Sequence, residues 1–350
     1  MTEELRAYPF QFTGTGSGYF RIWIGDLFLC VATLGIYSAW ARVRRRRYFL
    51  EHTLLDGHRF EYLADPLAIL RRRVPGYALL AAYGLAQWAW SWAALPFLAL
   101  ALLLLPWLVV DTLRFEARHC RYRGTRFAFH GGLGESYRIF LGLGLLVPLS
   151  LGWALPYLAY RKTGFVTRHL AYGRTRWDFQ AGAGAYSSIY LKAGLIMLLP
   201  PVLGLAAGIL RLGRSGAGPA GVVAAAGVGL CLVYAALPLA AAYIAARRAR
   251  LAVIGARIGK LGFAGRHGAR ALAGLYVANL LRVVLTLGLY LPWARARRAR
   301  FWLDNLALVA PATGLEDFVA AASASAPGAT PPVLAGVAEA APGESPRFLA

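Results

Sequence analysis

The chain has 350 residues, 58% of them hydrophobic, a net charge of +22 and a mean hydropathy of +0.51. Apolar stretches of about 18 residues or more, the length that crosses a hydrocarbon core, exclude an ordinary soluble protein. The positive charge lies in clusters beside these stretches, as in cytoplasmic loops that flank membrane spans, and it forms no continuous basic face of the kind that binds nucleic acid. We therefore predict an integral membrane protein without a nucleic-acid partner.

Three apolar elements contain a helix break near their middle. They cover residues about 20–41, 138–160 and 271–294, and the breaks read TLGIYSAW, SLGWALPY and TLGLYLPW. A glycine, followed in the last two copies by a proline, interrupts helical hydrogen bonding at each break. This recurrence predicts an internal repeat. Its characteristic residues are Gly35, Tyr37, Trp40, Gly152, Gly288, Tyr290 and Trp293.

Two longer apolar regions, residues about 77–111 and 189–246, each predict a hairpin of two membrane spans. Residues 77–110 carry no charge. As one helix they would be about 51 Å long, which is too long for a single ordinary crossing. The second region contains the flexible turn RLGRSGAGPAG between its two spans. Each hairpin is expected to begin and end on one side of the membrane.

The distribution of basic residues bears on whether the three broken elements also cross. If they cross, loops 161–188 and 247–270, with five and seven Lys or Arg residues, face outward. If they dip into the membrane and return, Arg211 and Arg214 near the tip of the second long hairpin face outward instead. Because basic loops favour the cytoplasmic side, we predict re-entrant elements, with kinked spans as the alternative.

Between the apolar elements a second pattern recurs, a glycine-led turn followed by two aromatic residues with one residue between them. It occupies residues 8–20, 55–66, 122–137, 172–186 and 258–272, with a sixth copy suggested at 312–320. Alternation with period two predicts short strands with one aromatic face, which pair or lie at the membrane interface. The alternative is loops anchored by interfacial aromatic side chains.

These elements predict an all-α membrane protein. It is expected to be a polytopic helical bundle over residues 1–310, with internal repeats, broken or re-entrant helices and short aromatic β-like connectors. Residues 321–350 are rich in Ala, Pro, Gly and Ser, a composition typical of disorder. The basic loops and this tail are predicted to lie in the cytoplasm.

Ionisable side chains within apolar segments are candidates for function, because a charge in lipid is costly. Asp26 lies nine residues before Gly35, and the matching position before Gly288 is Asn279. Arg282 follows one turn later, so Asp26 and Arg282 would pair between the first and third broken elements. The alternative is a polar residue near the interface that reaches water. The candidate intramembrane polar site is therefore Asp26, Asn279 and Arg282.

The basic clusters are predicted to bind anionic lipid headgroups, the partners that their position favours. They comprise Arg44, Arg45, Arg46, Arg47, Arg71, Arg72, Arg73, Arg295, Arg297, Arg298 and Arg300.

Three histidines, His52, His119 and His169, each lie four or five residues before a connector glycine. Convergence on a metal is one interpretation, and recurrence of a polar residue at a helix end is the simpler one. The chain has no HExxH spacing, and its three cysteines form no CxxC pair. We therefore expect neither a metal nor a cofactor.

The order of the motifs resembles a known family. FxFxGxxxxY precedes the first apolar helix, TLGxYxxWAxxRxRRY follows it, and LDGxxFxYxADPxxILRRR and LTLGLYLPWARARRARF come later. Together they resemble the YjgN-like proteins over residues about 8–310. The resemblance implies a multi-pass protein of the bacterial inner membrane with no assigned chemistry. This chain departs from the pattern at SLGWA, which lacks the tyrosine, and in the fifth connector, which has lost one aromatic residue.

Two functions remain open at this level. Internal repeats with interrupted helices are how many transporters build a midplane site, so a small-solute transporter or permease is the first hypothesis. The alternative is a membrane scaffold that binds anionic lipids or partner proteins through its arginine-rich loops. An intramembrane enzyme ranks third, and we predict that the chain is not an enzyme because GxSxG and paired carboxylates are missing.

Overall fold

The computed structural model describes residues 5–89, 92, 94–215, 219–265, 269–311 and 314–325. Ten strands are found in this part of the chain: β1 Leu5–Phe12, β2 Thr53–Leu55, β3 His58–Tyr62, β4 Cys120–Tyr122, β5 Thr125–Phe129, β6 Leu170–Tyr172, β7 Thr175–Phe179, β8 Ala256–Ile258, β9 Leu261–Gly265 and β10 Leu306–Pro311. They form one closed antiparallel barrel in the order β1-β10-β9-β8-β7-β6-β5-β4-β3-β2. The first and last strands close the ring, with Tyr8 opposite Leu308.

Two-residue turns join the strands of four hairpins at one end of the barrel. In the first two turns, Asp56-Gly57 and Arg123-Gly124, both residues have positive φ angles. In Gly173-Arg174 and Gly259-Lys260 only the glycine does. These are the two turn conformations whose twist matches that of paired strands, and each places glycine where a left-handed backbone is required.

Helices connect the β-hairpins at the opposite end of the barrel. They are α1 Gly16–Ala32, α2 Ser38–Glu51, α3 Pro66–Ala89, α4 Ala94–His119, α5 Leu133–Ser136, α6 Leu143–Leu149, α7 Leu155–Arg168, α8 Ala183–Ser215, α9 Pro219–Ile254, α10 Ala269–Leu285, α11 Leu291–Asp304 and, after the last strand, α12 Gly314–Ser325. A π-helical segment, Tyr137–Gly142, lies between α5 and α6.

The helices leave and rejoin the barrel in pairs whose two ends lie side by side. A backbone hydrogen bond closes each of four pairs, and β9–β10 pairing closes the fifth. The four bonds are Thr13 N to His52 O (2.9 Å), Leu63 N to His119 O, His130 N to His169 O and Gln180 N to Gly255 O (each 2.8 Å). Three short helical hairpins, built on α1–α2, α5–α7 and α10–α11, therefore alternate with two long ones, α3–α4 and α8–α9.

The barrel interior is filled by side chains that alternate along the strands. In β3, Phe60 and Tyr62 are buried and Glu61 between them is exposed. The inward rings pack against each other across strands, as in Phe60–Tyr122, whose centroids are 4.7 Å apart. Burial raises the pKa of the inward Tyr172 to about 12, because the charged phenolate would lose its hydration inside the barrel. The aromatic-x-aromatic segments thus form the core of this barrel.

The prediction of an all-α fold is wrong, because the connectors close into a complete β-barrel. Its strands are mostly three to five residues long, and entire helical hairpins separate the strands that pair between one β-hairpin and the next. Pairing between strands so far apart in the sequence leaves no local pattern, and helical periodicity dominates the intervening segments.

The sixth connector, suggested at 312–320, is also wrong where the structure describes it. From Gly314 to Ser325 the chain is helical, with Glu316 and Asp317 in the first turn, where acidic residues favour a helix N-terminus. Residues 321–325 of the predicted disordered tail belong to this helix, and residues 326–350 lie outside the described residues.

Three helical segments among the described residues are long and apolar enough to cross a membrane. They are Ala94–His119, Ala183–Leu210 and Ala226–Ile254. Their leucines are largely exposed, for example Leu98 on α4 and Leu203 on α8. An exposed surface that is apolar on this scale is expected to face lipid.

Candidate functional site

The break in the first short hairpin is a tight turn at Thr33, Leu34 and Gly35. The amide of Gly35, which has a φ of +89°, donates to the carbonyl of Cys30 over 2.7 Å and so ends α1. The hydroxyl of Thr33 accepts a hydrogen bond from the amide of Tyr37 over 3.0 Å, immediately before α2 begins. One short motif therefore ends a helix and begins the next.

The other two short hairpins have the same turn at Gly152 and Gly288. The residues before the glycines, Leu34, Leu151 and Leu287, have φ angles of +49° to +50° and are 92–96% exposed. A left-handed backbone costs a residue with a side chain about 1–2 kcal/mol. In all three hairpins, a strained backbone thus holds a leucine outward at the tip.

The aromatic residues of the break link the first and third short hairpins. Tyr37 stacks on Trp40, and Tyr290 stacks on Trp293, with ring centroids 5.9 Å apart in both pairs. Trp293 also lies against Gly16 of α1, where an added Cβ would come within 2.3 Å of its ring. Glycine at this position therefore permits close packing of α11 on α1.

A cavity of about 320 Å³ lies among α1, α2, α3 and α11, close to this contact. Its polar lining consists of Tyr19, Asp26, Ser38, Arg42, Arg45, Arg73 and Arg295. Four arginines face one carboxylate in a half-buried space, so the lining carries an excess of positive charge. Such a site favours an anion, because guanidinium groups bind phosphate and carboxylate oxygens through several donors at once.

Neighbouring side chains hold several of these groups in place. Arg73 Nη1 donates to Ser38 Oγ over 2.6 Å, which ties α3 to the tip of the first short hairpin. Arg295 Nη1 donates to the hydroxyl of Tyr19 over 3.1 Å. Asp26 is 6% exposed. The arginine cavity is therefore assembled from the first short hairpin, the long hairpin that follows it and the third short hairpin, whose Arg295 lies more than 200 residues after Arg73.

The structure separates the three residues of the predicted polar site. Asp26 lines the arginine cavity, and its carboxylate lies 3.4 Å from Arg44 Nη1 on α2. The amide of Asn279 donates instead to the carbonyl of Ala294 over 3.4 Å, between α10 and α11. Arg282 lies over the ring of Tyr290. Asp26 and Arg282 do not pair, because α2 of the same hairpin places Arg44 beside Asp26 and Arg282 lies against Tyr290.

Two of the arginines predicted to contact headgroups are buried. Arg46 pairs with Glu116 of α4 over 2.8 Å, and both side chains are under 5% exposed. Arg298 is 4% exposed. These two cannot reach a headgroup, so their assignment to lipid contact is corrected. A third, Arg72, pairs with Asp111 at the surface.

The remaining members of the basic clusters divide between the arginine cavity and the surface. Arg45, Arg73 and Arg295 line the cavity. The exposed members are Arg44, Arg47, Arg71, Arg297 and Arg300.

Sequence reasoning missed Arg42, Ser38 and Tyr19 as cavity residues. The repeat carried a signal for Arg42, since alignment of Gly35 with Gly288 also places Arg42 opposite Arg295. Tyr19 and Ser38 carried no such signal, because their role depends on how the hairpins pack.

The three histidines occupy equivalent helix ends and do not converge. Nδ1 of His52, His119 and His169 lies 2.7–2.9 Å from the carbonyl four residues earlier, and a carbonyl can only accept. Each imidazole also packs on the aromatic ring at that position, as His52 does on Tyr48. Among the residues that the structure describes, no group of three His, Cys, Asp or Glu side chains could hold a metal ion.

Comparison with known proteins places the chain among membrane proteins. Residues 7–335 match the family described as bacterial protein of unknown function (DUF898). The chain is 26% identical over 141 residues to the inner membrane protein YjgN of Salmonella typhimurium, covering 40% of this chain and 36% of that protein. It is 37% identical over 59 residues to YjgN of Escherichia coli, covering 17% of this chain and 15% of the relative.

These alignments span well under half the length of the curated relatives. No solved structure matches the chain. The family match nevertheless covers nearly the whole sequence, and long apolar helices accompany it. The chain therefore belongs to the DUF898 family of bacterial proteins of unknown function, and it is an inner-membrane protein of the YjgN type.

Proposed function

We propose that the chain is a multi-pass protein whose arginine cavity binds a small anionic solute, and that it transports this solute. The observation that carries the proposal is the cavity of about 320 Å³ with four arginines and Asp26. That volume is at the lower end of the range of roughly 300–1,000 Å³ typical of small-molecule sites. A solute bearing a phosphate or carboxylate fits this charge and size. In this proposal the chain has no enzymatic activity.

The proposed topology places the barrel and the tail in the cytoplasm. Both ends of every helical hairpin meet at one end of the barrel. In this topology each long hairpin crosses and returns, so α3, which is not among the three candidate spans, crosses with α4. The exposed leucines at the short-hairpin tips, Leu34, Leu151 and Leu287, enter the same face of the bilayer. The basic residues near the barrel then lie on the cytoplasmic side, as the positive-inside rule favours.

Anion binding is tested with the purified protein in nanodiscs of zwitterionic lipid, titrated with inorganic phosphate in a calorimeter. Arg42→Gln and Arg295→Gln are expected to weaken binding at least tenfold, because each removes a guanidinium from the lining. Arg47→Gln is the matched control, since Arg47 is exposed on the same helix as Arg42. Equal binding by all variants, or no binding by the unaltered chain, would contradict the proposal.

Transport requires a second measurement in sealed proteoliposomes. Uptake of labelled phosphate should depend on the protein and fall in the Arg42→Gln variant, while the Arg47→Gln variant retains it. Binding without protein-dependent uptake would leave the arginine cavity as a binding site and eliminate transport of this anion.

A second candidate is a scaffold that holds an anionic lipid by its headgroup. Leu27 lines the arginine cavity, and Phe28 and Val31 on the same helix are 73% and 69% exposed. The cavity therefore borders a surface on which acyl chains would lie. Retention of phosphatidylglycerol by the detergent-purified protein, lost in Arg42→Gln and not displaced by inorganic phosphate, would favour this scaffold over a solute carrier.

A further inference from the structure

Helix α12 lies across the end of the barrel that carries the β-hairpin turns, the distal mouth. It follows β10, which runs from the helical end of the barrel to this end. The ring of Phe318 stacks on Tyr172 with centroids 5.4 Å apart, and Ala322 lies against Gly173 of a hairpin turn. The helix therefore covers the mouth opposite the helical hairpins and the arginine cavity.

The buried face of α12 has the spacing of a helix recognised in a groove. Leu315, Val319 and Ala322 are 2–7% exposed, and Phe318 packs against the core with them. Positions i, i+3, i+4 and i+7 form a single apolar stripe, the pattern by which amphipathic helices dock. Glu316 and Asp317 remain outside this face.

The distal mouth matches that helix in shape and charge. Aromatic side chains of the barrel, including Phe60, Tyr122 and Phe127, leave a void of only about 40 Å³ beneath α12. Three of the four turns around the mouth carry a basic residue, Arg123, Arg174 or Lys260, and the fourth carries Asp56, so the rim is basic on balance. An apolar well with a basic rim favours a helix that is apolar on one side and acidic on the other.

The barrel does not need α12 to be complete. All ten strands pair in a closed ring, and α12 contributes no strand to it. Its removal would uncover apolar rings at the mouth without breaking any strand pairing. Docking of α12 is thus separable from closure of the barrel.

We propose that the distal mouth is a docking site for a short acidic amphipathic helix and that α12 is its resident, exchangeable occupant. The helix leaves and returns while the barrel stays folded. When α12 is away, a second helix of the same pattern can occupy the site. The site lies at the end of the barrel opposite the arginine cavity, so the proposal is independent of anion binding.

The test compares two buried thiols in one full-length protein. Cys30 and Cys231 are replaced by serine, and Ala322→Cys places a thiol on the buried face of α12. Cys120 is 1% exposed at the start of β4, and burial raises its pKa to about 12, so it reacts only when the barrel opens. The rates at which a thiol reagent labels the two positions are measured separately by mass spectrometry.

If α12 exchanges, the thiol of A322C is labelled at least tenfold faster than Cys120. A synthetic peptide of residues 314–325 should accelerate its labelling further by occupying the vacated mouth, whereas the same peptide carrying Phe318→Ala should not. Equal rates at both thiols would show that α12 opens only with the whole barrel and would overturn the proposal. Faster labelling without any effect of the peptide would overturn the docking site.

A second variant guards against a local artefact of the new cysteine. Phe318→Ala in the same background removes the ring that stacks on Tyr172. Labelling of A322C should then rise several-fold, with the rate at Cys120 unchanged. A parallel rise at both positions would mean that the substitution destabilises the barrel itself, and it too would contradict an independently moving helix.

Discussion

The first and third short hairpins line the arginine cavity, and the second does not, although all three share the same turn. Seven residues after the break glycine, the first and third carry Arg42 and Arg295, and the second carries Ala159. Ala159 is buried in an apolar cluster with Phe179 and Tyr186. The turn therefore sets the shape of each short hairpin. The side chains on the helix after the turn determine whether that hairpin packs against an apolar core or lines a charged cavity.

The largest loss of stability is expected at the ion pair that joins the first short hairpin to α4. Arg46 and Glu116 form an ion pair that is almost completely buried. Glu116→Gln leaves the Arg46 charge without its counter-charge, and should lower the free energy of unfolding by about 3–5 kcal/mol. Chemical denaturation of the purified protein measures the loss.

Glu61→Gln is the control for that measurement. Glu61 pairs with Arg121 on the barrel exterior, where both side chains are at least 36% exposed. An exposed pair contributes about 0–1 kcal/mol, so this variant should stay close to the unaltered protein. Equal losses in both variants would contradict a special role for the buried pair.

The contact between the first and third short hairpins should be the next most sensitive feature. Gly16→Ala places a Cβ within 2.3 Å of the Trp293 ring. Overpacking of this kind costs about 1–3 kcal/mol, and the thermal midpoint should fall accordingly. Gly134→Ala in the second short hairpin meets no atom within 4 Å and should be neutral. A neutral Gly16→Ala would show that the two hairpins do not pack this closely.

Arg42→Ala makes the first short hairpin resemble the second at the position of Ala159. We expect at least a tenfold loss of phosphate affinity, which corresponds to about 1.4 kcal/mol or more. Thermal stability should change little, because Arg42 is only half-buried. Titration calorimetry and a melting curve on the same sample separate the two effects. A large fall in thermal stability with unchanged phosphate affinity would show that Arg42 stabilises the fold and does not bind the anion.

The smallest effect is expected at the tips, where the three hairpins are alike. Leu34→Asn, Leu151→Asn and Leu287→Asn keep a residue that tolerates positive φ. Each should alter the free energy of unfolding in detergent by no more than about 0.5 kcal/mol, as for exposed positions in general.

Membrane contact at the same tips is measured with single cysteines that carry an environment-sensitive dye. All three positions should show a blue shift on transfer from a polar solvent into bilayers. A dye at one tip that shows no blue shift would mean that this hairpin does not enter the bilayer as the other two do.

Some of these features were readable from the sequence because they are local. The glycine of each break and the apolar stretches around it lie within a few turns of helix. The buried Arg46 also had a local signal, since Val43, Phe49 and Leu50 share its face of α2 and are buried with it. The partner of Arg46 was not readable, because Glu116 lies on a different hairpin.

Closure of the barrel could not be predicted from the sequence either, because the strands that close it lie far apart in the chain. Phe10 pairs with Leu55, and Tyr8 with Leu308, across insertions that are themselves complete helical hairpins. The aromatic alternation indicated strands, and nothing in it indicated a ring. The position of Asp26 was readable and its partner was not, since Arg44 and Arg282 are equally plausible until the hairpin is folded.

The pairing of the first strand with the last has a consequence for biosynthesis. Leu5 of β1 lies opposite Pro311 of β10, so the ribosome has to release some three hundred residues before the ring can be sealed. Until then β1 has an open edge, and such edges invite mispairing with other chains. Maturation of this protein should therefore be timed by the arrival of its final strand, after the apolar segments have entered the membrane.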